Sequence, residues 1–433
     1  MDSQGRSAGS APRSIADCIE GRPLAGRRVL MIVENLPVPF DRRVWQEART
    51  LRAAGAHVEI ICPKGRGCDE SYEILEGIHV HRHILPRDGT TPLSFAWEYL
   101  VALFFETMLA WRIFLTRGFD VIQGCNPPDL IFLVALPFRI FGVRYIFDHH
   151  DLNPELYEAK FGRRDMFFRI LTMLERITFR VADVSIATNA SYRRIAIERG
   201  GMNPSRVFVV RSGPDISRIR PCAPNAVWRN GRRHLVAYVG VMGQQEGLDL
   251  LVEAVRHLVF ARGRTDVQFC LVGTGPVVDD LQELARSKGV SPFVTFAGRL
   301  SDDELFEVLA TADVCVNPDR VNAMNDKSTM NKIIEYMAAG KPIVQFDVTE
   351  GRVSAEDASL YARPNDPIDM AEKLLVLIDD PEQRAVMGAL GRQRVETALS
   401  WEHQIPSLLE AYARSMALDQ ELSAAQAGLK MKA

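Results

Sequence analysis

The sequence predicts an α/β protein of two Rossmann-like, doubly wound domains that face each other across a cleft. Three observations predict it. Short apolar runs alternate with stretches of helical period over residues 27–212, and the alternation restarts over residues 234–400. A Pro-, Gly- and Arg-containing stretch without periodicity, residues 213–233, separates the two series as a linker. Polar or glycine-bearing loops follow several of the apolar runs, at the strand ends where parallel sheets bind ligands.

Composition bounds the class. At 433 residues the chain is too long for one ordinary core, and two are expected. With 47% hydrophobic and 25% charged residues it reads as globular, so each half can bury a core. A net charge of −3 gives no global attraction to nucleic acid, and an anion site has to be local. The 7 cysteines show neither CxxC nor Cys/His spacing, which suits a reducing compartment and predicts no metal centre. P-loop, nucleophile-elbow and zinc signatures are absent.

In chain order, residues 1–26 are small and polar, without a signal-peptide core, and are expected to be a mobile tail. Residues 28–34 (RVLMIVE) form a strand, residues 35–40 a loop with two prolines, and Asp41 caps a helix that Gly55 ends. No GxGxxG follows this strand, so the dinucleotide fingerprint is missing. Arg42 and Arg43 open the helix at the sheet's carboxyl end, as an anionic-acceptor site or as a solvated helix start. Asn126, past the strand at 120–124, is assigned to the acceptor with them. Residues 93–115 form a long apolar helix. Its charges Glu98, Glu106 and Arg112 fall on about one third of the circumference, which predicts an amphipathic helix rather than a membrane span.

The strand at 144–147 runs into a polar cluster over residues 148–155, with Asp148, His149, His150, Asp151, Asn153 and Glu155. A His beside two Asp is a proton shuttle, a hydroxyl ligand or a hydrogen-bonded loop. Residues 166–181 then form a basic amphipathic helix. Phe167, Ile170, Leu171, Leu174 and Ile177 lie on one side, Arg169, Arg176 and Arg180 on another, and Arg163 and Arg164 precede it. It is either an ordinary domain helix or a contact for anionic headgroups of a membrane.

In the second half, strands at 234–240 and 267–272 lead to Gly240 and to a Gly273-Thr-Gly-Pro turn. Arg299 follows the strand at 294–296, where a guanidinium reaches a phosphate bidentately. The most informative stretch is residues 314–346: a strand, a polar loop, a helix with Ser328 as its cap and Ala-Ala-Gly as its stop, and a second strand. Backbone N–H groups at that helix start suit a diphosphate, and Glu335, two turns in, is placed to accept from ribose hydroxyls. Further helices cover 366–377 and 381–397, a final one begins at 401, and a tail frays from 421.

Several segments together carry a resemblance: VENLPVPFDRRVWQEARTLRAAGAHVEIICP, FDHHDLNPE, AYVGVMGQQEGLDLLVEAV, LVGTGP, FAGRLSDDEL and IIEYMAAGKPIV. From about residue 28 to 416 the chain resembles the retaining family 4 glycosyltransferases of GT-B architecture. The resemblance implies transfer of a sugar from a nucleotide-diphosphate donor with retention, without metal or other cofactor. It also implies a lipid-linked or oligosaccharide acceptor in cell-surface polysaccharide assembly, and a place in the cytoplasm or on the inner face of the plasma membrane. His150, with Asp151, would lie near the donor sugar and Glu335 at the ribose. The backbone of Met330, Asn331 and Lys332 would meet the phosphates, with Gly240 and Gly273 on the donor side. Residues 401–420 would cross back onto the first domain.

Two departures stand out. The family's usual pair of glutamates eight positions apart is here Lys327 and Glu335, with Asp326 beside the first as its replacement after a small backbone shift. The Arg and Lys that usually follow the position of Gly240 are here Val241 and Glu246, so countercharge must come from Lys327, Lys332 or Arg299. A nucleotide-sugar epimerase of the same fold is one alternative. A non-catalytic partner that keeps the fold is another, supported by the missing Arg/Lys pair.

Overall fold

Apolar runs that are buried along their whole length need helices on both faces of the sheet, and each half of the chain builds that three-layer arrangement. The computed structural model describes residues 14–86, 92–216 and 222–430. The first lobe contains β1 (Arg28–Val33), α1 (Arg42–Ala53), β2 (His57–Pro63), β3 (Tyr72–Leu75), β4 (Ile78–His83), α2 (Pro92–Thr116), β5 (Val121–Cys125), α3 (Phe132–Ala135), β6 (Arg144–His149), α4 (Asn153–Phe161), α5 (Met166–Val181), β7 (Val184–Ala187), α6 (Ala190–Glu198) and β8 (Val207–Val209). Its strand order is β3-β4-β2-β1-β5-β6-β7-β8, parallel except for the β3–β4 hairpin.

The second lobe contains β9 (His234–Val239), α7 (Leu248–Arg256), β10 (Val267–Val272), α8 (Val278–Ser287), β11 (Val294–Gly298), α9 (Asp302–Thr311), β12 (Val314–Asn317), α10 (Asn331–Ala338), β13 (Ile343–Phe346), α11 (Thr349–Ala355), β14 (Ser359–Ala362), α12 (Pro367–Asp379) and α13 (Pro381–Arg394). Its order β11-β10-β9-β12-β13-β14 is wholly parallel. The order reverses at β1/β5 in one lobe and at β9/β12 in the other, and the crevices of such sheets open there, beyond the strands' carboxyl ends.

The last helix, α14 (Ile405–Lys430), returns to the first lobe. Trp401, Ile405, Leu408 and Tyr412 are buried with β1, β2 and α1 in one core. Trp401 Nε1 donates to Thr50 Oγ1 at 2.9 Å.

Several expectations are corrected. Residues 1–13 of the expected tail lie outside the described residues, as do 217–221 of the linker and 431–433. Residues 14–26 are not loose: Ile15–Cys18 forms a 3₁₀ turn capped by Ser14, and Leu24 is buried in the core beneath α1. At the other end α14 stays helical to Lys430, past the residue where fraying is expected. Ser328 does not cap α10, because its hydroxyl donates to Met324 O at 2.9 Å instead. The charged sector of α2 is split: Glu106 lies on the buried seam with Ala102, Ala110 and Ile113, whereas Arg112 is exposed. α5 buries Glu175, Thr178 and Phe179, and leaves Phe167 and Ile170 of its expected inner side exposed.

Candidate active site

The second lobe contributes the start of α10. Met330 is its N-cap residue and no side chain caps it, so the first N–H groups open toward the inter-lobe cleft, and Asn331 and Glu335 line that cleft. An N-terminus of this kind favours an anion through its orphan donors and its dipole. Lys332 turns inward. Its Nζ reaches Asp319 Oδ1 at 2.8 Å and pairs with Glu246. Burial works against its charge, but the two carboxylates outweigh this and hold the ammonium charged. Burial and the Glu246 charge push Asp319 up, while Lys332 holds Glu246 down against its own burial. The group is therefore a lysine cation balanced by one carboxylate, with Asp319 the one driven toward protonation.

Gly240 and Gly273 set spacing. A Cβ on Gly273, whose φ is +133°, would sit 1.9 Å from Gly240 O, so the β9 and β10 ends touch backbone to backbone. Gly240 also leaves room for the Tyr238 hydroxyl, which would lie 2.8 Å from a Cβ there.

On the first lobe, Arg43 is buried rather than offered to an acceptor. Its guanidinium donates to Asp148 Oδ1 (2.9 Å), to Val210 O (2.8 Å) and to His150 Nε2 (2.9 Å), and it pairs with Glu47 Oε1 (3.1 Å). His150 Nε2 is also 2.7 Å from Asp148 Oδ2. That nitrogen accepts from Arg43 when the ring is neutral and faces Asp148 as a donor when it is protonated. Burial lowers the imidazole's pKa, Asp148 raises it, and Asp148 wins. Asp148 in turn is held well below the usual carboxylate range, because Arg43 and His150 overcome the cost of its burial. Burial drives Glu47 the other way, upward. Cys125, Asp148 and His150 bring ligand-type atoms within 4.8 Å of one another, and the Arg43 guanidinium supplies the positive charge inside that cluster.

Asn126 is a clamp. Its Oδ1 accepts from the backbone of His150 (2.6 Å) and Asp151 (3.1 Å), and its Nδ2 donates to Asp151 O (2.7 Å). It fixes the polar loop after β6 and has little left for an acceptor. Burial raises the pKa of Asp151.

The lobes meet through residues predicted as site residues. Arg42 Nη1 lies 3.4 Å from Glu335 Oε1 and its Nη2 lies 3.7 Å from Asp302 Oδ1. Arg299 stacks over Phe40 of the β1 loop at 5.1 Å. Lys327 Nζ reaches Glu155 Oε1 at 3.1 Å, and Lys327 O accepts from Asn189 Nδ2 at 2.8 Å. Asp326 Oδ1 accepts from Thr349 N at 2.8 Å and so serves the start of α11. The structure thus gathers Arg42, Arg299, Asn331 and Glu335 at the cleft, and His150 behind the Arg43 network. It assigns Asp326, Lys327 and Lys332 partners of their own.

Sequence reasoning missed Glu47 and Asp319, and placed Glu155 in the polar cluster after β6 without its partner Lys327. Glu47 shows a signal in hindsight, since it follows Arg43 at i+4. Glu155 and Lys327 are 172 positions apart, and nothing local joins them.

Two α/β lobes with strand ends facing across a cleft, and a bare helix start beside an acid, define the glycosyltransferase fold of GT-B type. Residues 41–213 match the glycosyl transferase 4-like domain, and residues 233–380 match the glycosyl transferases group 1 domain. The two matches take in most of both sheets, and the chain belongs to this glycosyltransferase family. Over 201 residues it is 29% identical to a GDP-mannose-dependent monoacylated alpha-(1-6)-phosphatidylinositol monomannoside mannosyltransferase of Corynebacterium glutamicum, covering 44% of this chain and 52% of the relative. The chain thus matches about half the length of that relative. The fold is shared with sucrose-phosphate synthase of Thermosynechococcus elongatus (TM-score 0.74, 20% identity, 90% of this chain and 100% of that one). It is shared also with Anabaena HepE in complex with UDP-glucose (TM-score 0.65, 16% identity, 92% and 99%).

Proposed function

We propose that this protein transfers a glycosyl group, with retention, from a nucleoside-diphosphate sugar to an acceptor carried by a membrane lipid, in cell-surface glycan assembly at the cytoplasmic face. The observation that carries the reading is the bare start of α10 with Glu335 beside it in the inter-lobe cleft. The diphosphate lies against the N–H groups of Met330, Asn331 and Lys332, and Glu335 accepts from the ribose. A leaving diphosphate gathers negative charge as the glycosidic bond breaks, and preorganised donors aimed at that charge lower the barrier. The sugar C1–O bond to phosphate breaks with its electron pair going to the phosphate. The acceptor oxygen bonds to C1 on the same face, and its proton passes to the departing phosphate oxygen.

His150 lies on the sugar side, held by Asp148 and Arg43. Arg42 leaves Glu335 when ribose enters and is then free for the acceptor. The reading draws on no metal or other cofactor. The complex of Anabaena HepE with UDP-glucose supports the donor class, and the lipid substrate named for the Corynebacterium relative supports the acceptor class.

A thermal-shift screen of nucleoside diphosphates and their sugars, followed by diphosphate release with and without membrane extract, tests it. A raised melting temperature with one donor and extract-dependent release are expected. Sugar conversion without extract would favour an epimerase. Silence across a broad panel would favour the non-catalytic partner, which the carboxylates around Lys332 already suit.

A further inference from the structure

The first lobe has an apolar surface that its own fold leaves uncovered. α2 packs on the sheet through Ala102, Glu106, Ala110 and Ile113, so the opposite stripe of Trp97, Leu100, Phe104, Met108 and Leu115 faces outward. Trp97 is 62% exposed, Phe104 65% and Leu115 77%. A helix on a water-facing surface shows the reverse pattern. The segment after α3 extends the surface. The Phe141 ring lies 5.2 Å from Phe114 and 6.2 Å from Trp111, and Ile140 is 81% exposed.

Arg139 Nη1 donates to Val181 O at 2.8 Å and ties this segment to the end of α5. α5 turns Met166, Ile170 and Met173 outward, and its exposed Arg169, Arg176 and Arg180 border one shallow groove with Thr172. Among the described residues these three arginines, and the exposed Arg112 of α2, have no ion-pair partner.

Apolar patches of this extent mark contacts with proteins or membranes. The unpaired arginines decide between them. A second copy of this chain pressed on the same face would bury guanidinium groups against an apolar stripe, at a desolvation cost with no carboxylate to offset it. Anionic headgroups supply phosphates at the depth where arginines border buried apolar side chains.

We propose that α2, the segment ending at Phe141, and α5 form one face that seats the first lobe on an anionic lipid bilayer. α2 meets the criteria of length and mean hydropathy for a membrane span, yet one side of it is committed to the sheet. It therefore lies along the interface and does not cross. The proposal deepens the reading of a membrane-borne acceptor and rests on it only for orientation.

The full chain is floated with vesicles of phosphatidylcholine mixed with phosphatidylglycerol, and with vesicles of phosphatidylcholine alone. The wild type is expected to bind the anionic vesicles, with a blue shift of tryptophan emission that Trp97→Phe diminishes. Phe104→Ser with Ile140→Ser is expected to weaken binding about tenfold or more. Arg169→Gln with Arg176→Gln and Arg180→Gln is expected to remove the preference for the anionic lipid. Both variants should keep the wild-type melting temperature and its shift with nucleotide, because the substituted side chains are exposed. Wild-type protein that stays off anionic vesicles, or variants that bind them as wild type does, would overturn the proposal. So would a dimer in solution that Phe104→Ser with Ile140→Ser dissociates. Loss of the nucleotide-induced shift in the wild type would count against the transferase reading instead, and leaves the vesicle result standing.

Discussion

Glu106 makes the stability of the first lobe depend on pH in a direction that can be measured. It is fully buried on α2, and among the described residues neither carboxylate oxygen has a hydrogen-bond partner. Burial pushes it from 4.5 up to about 8. Between those values the folded chain binds a proton that the unfolded chain has released, so stability falls as pH rises through that window. A pKa unit corresponds to about 1.4 kcal/mol, and the ionisable group therefore costs about 3 kcal/mol at pH 7 relative to a non-titrating residue of the same shape. Glu34, pushed up to about 8 by burial and by the charges of Glu106 and Glu98, acts in the same direction.

Glu106→Gln removes one titration and keeps the volume. Urea unfolding followed by far-UV circular dichroism, from about pH 5 to about pH 8, should show the variant gaining on the wild type as pH rises, by about 3 kcal/mol near neutrality. Parallel stability curves, separated by a constant amount across the range, would refute the reasoning.

Glu335→Ala is expected to weaken nucleotide-sugar binding by roughly 10- to 100-fold without lowering the melting temperature, and isothermal titration checks it. Arg43→Met leaves Asp148 and Glu47 facing each other with only His150 to balance them and should cost about 3–5 kcal/mol in chemical denaturation. Trp401→Ala empties a core position and breaks the bond to Thr50; about 3–5 kcal/mol is expected, read as loss of first-lobe amide protection in hydrogen exchange.

The fold class was legible because runs such as RVLMIV and HLVAYV are apolar at almost every position, which in a chain of alternating helices means a strand covered on both faces. β3 and β14 were not legible: β7 and β12 are as short but buried throughout, whereas YEIL and SLYA are partly exposed and carry no continuous apolar run. α2 shows a limit of another kind. Its composition is apolar around most of the circumference, so periodicity has no strong preference for a face, and the packing of Ala102 and Ala110 decides it. The start of α10 could be placed from sequence, but its cap could not, since Ser328 finds a better acceptor in Met324 O. Glu335 and Asn331 were readable at the site because they belong to one helix. The partners of Lys327 and Lys332 come from other elements, and tertiary structure alone brings them there.

The return of α14 has a consequence for how the chain is made. Trp401 to Tyr412 form part of the floor of a lobe whose strands are complete at Val209. Translation at about 5–20 residues per second separates the two by roughly 10–40 s. Through that interval the nascent first lobe lacks a wall, and its apolar underside is open to chaperones or to neighbouring chains. An amino-terminal fragment that stops at the linker would expose the same surface permanently, so expressing the first lobe by itself should yield an aggregation-prone product unless residues 401–416 are supplied with it.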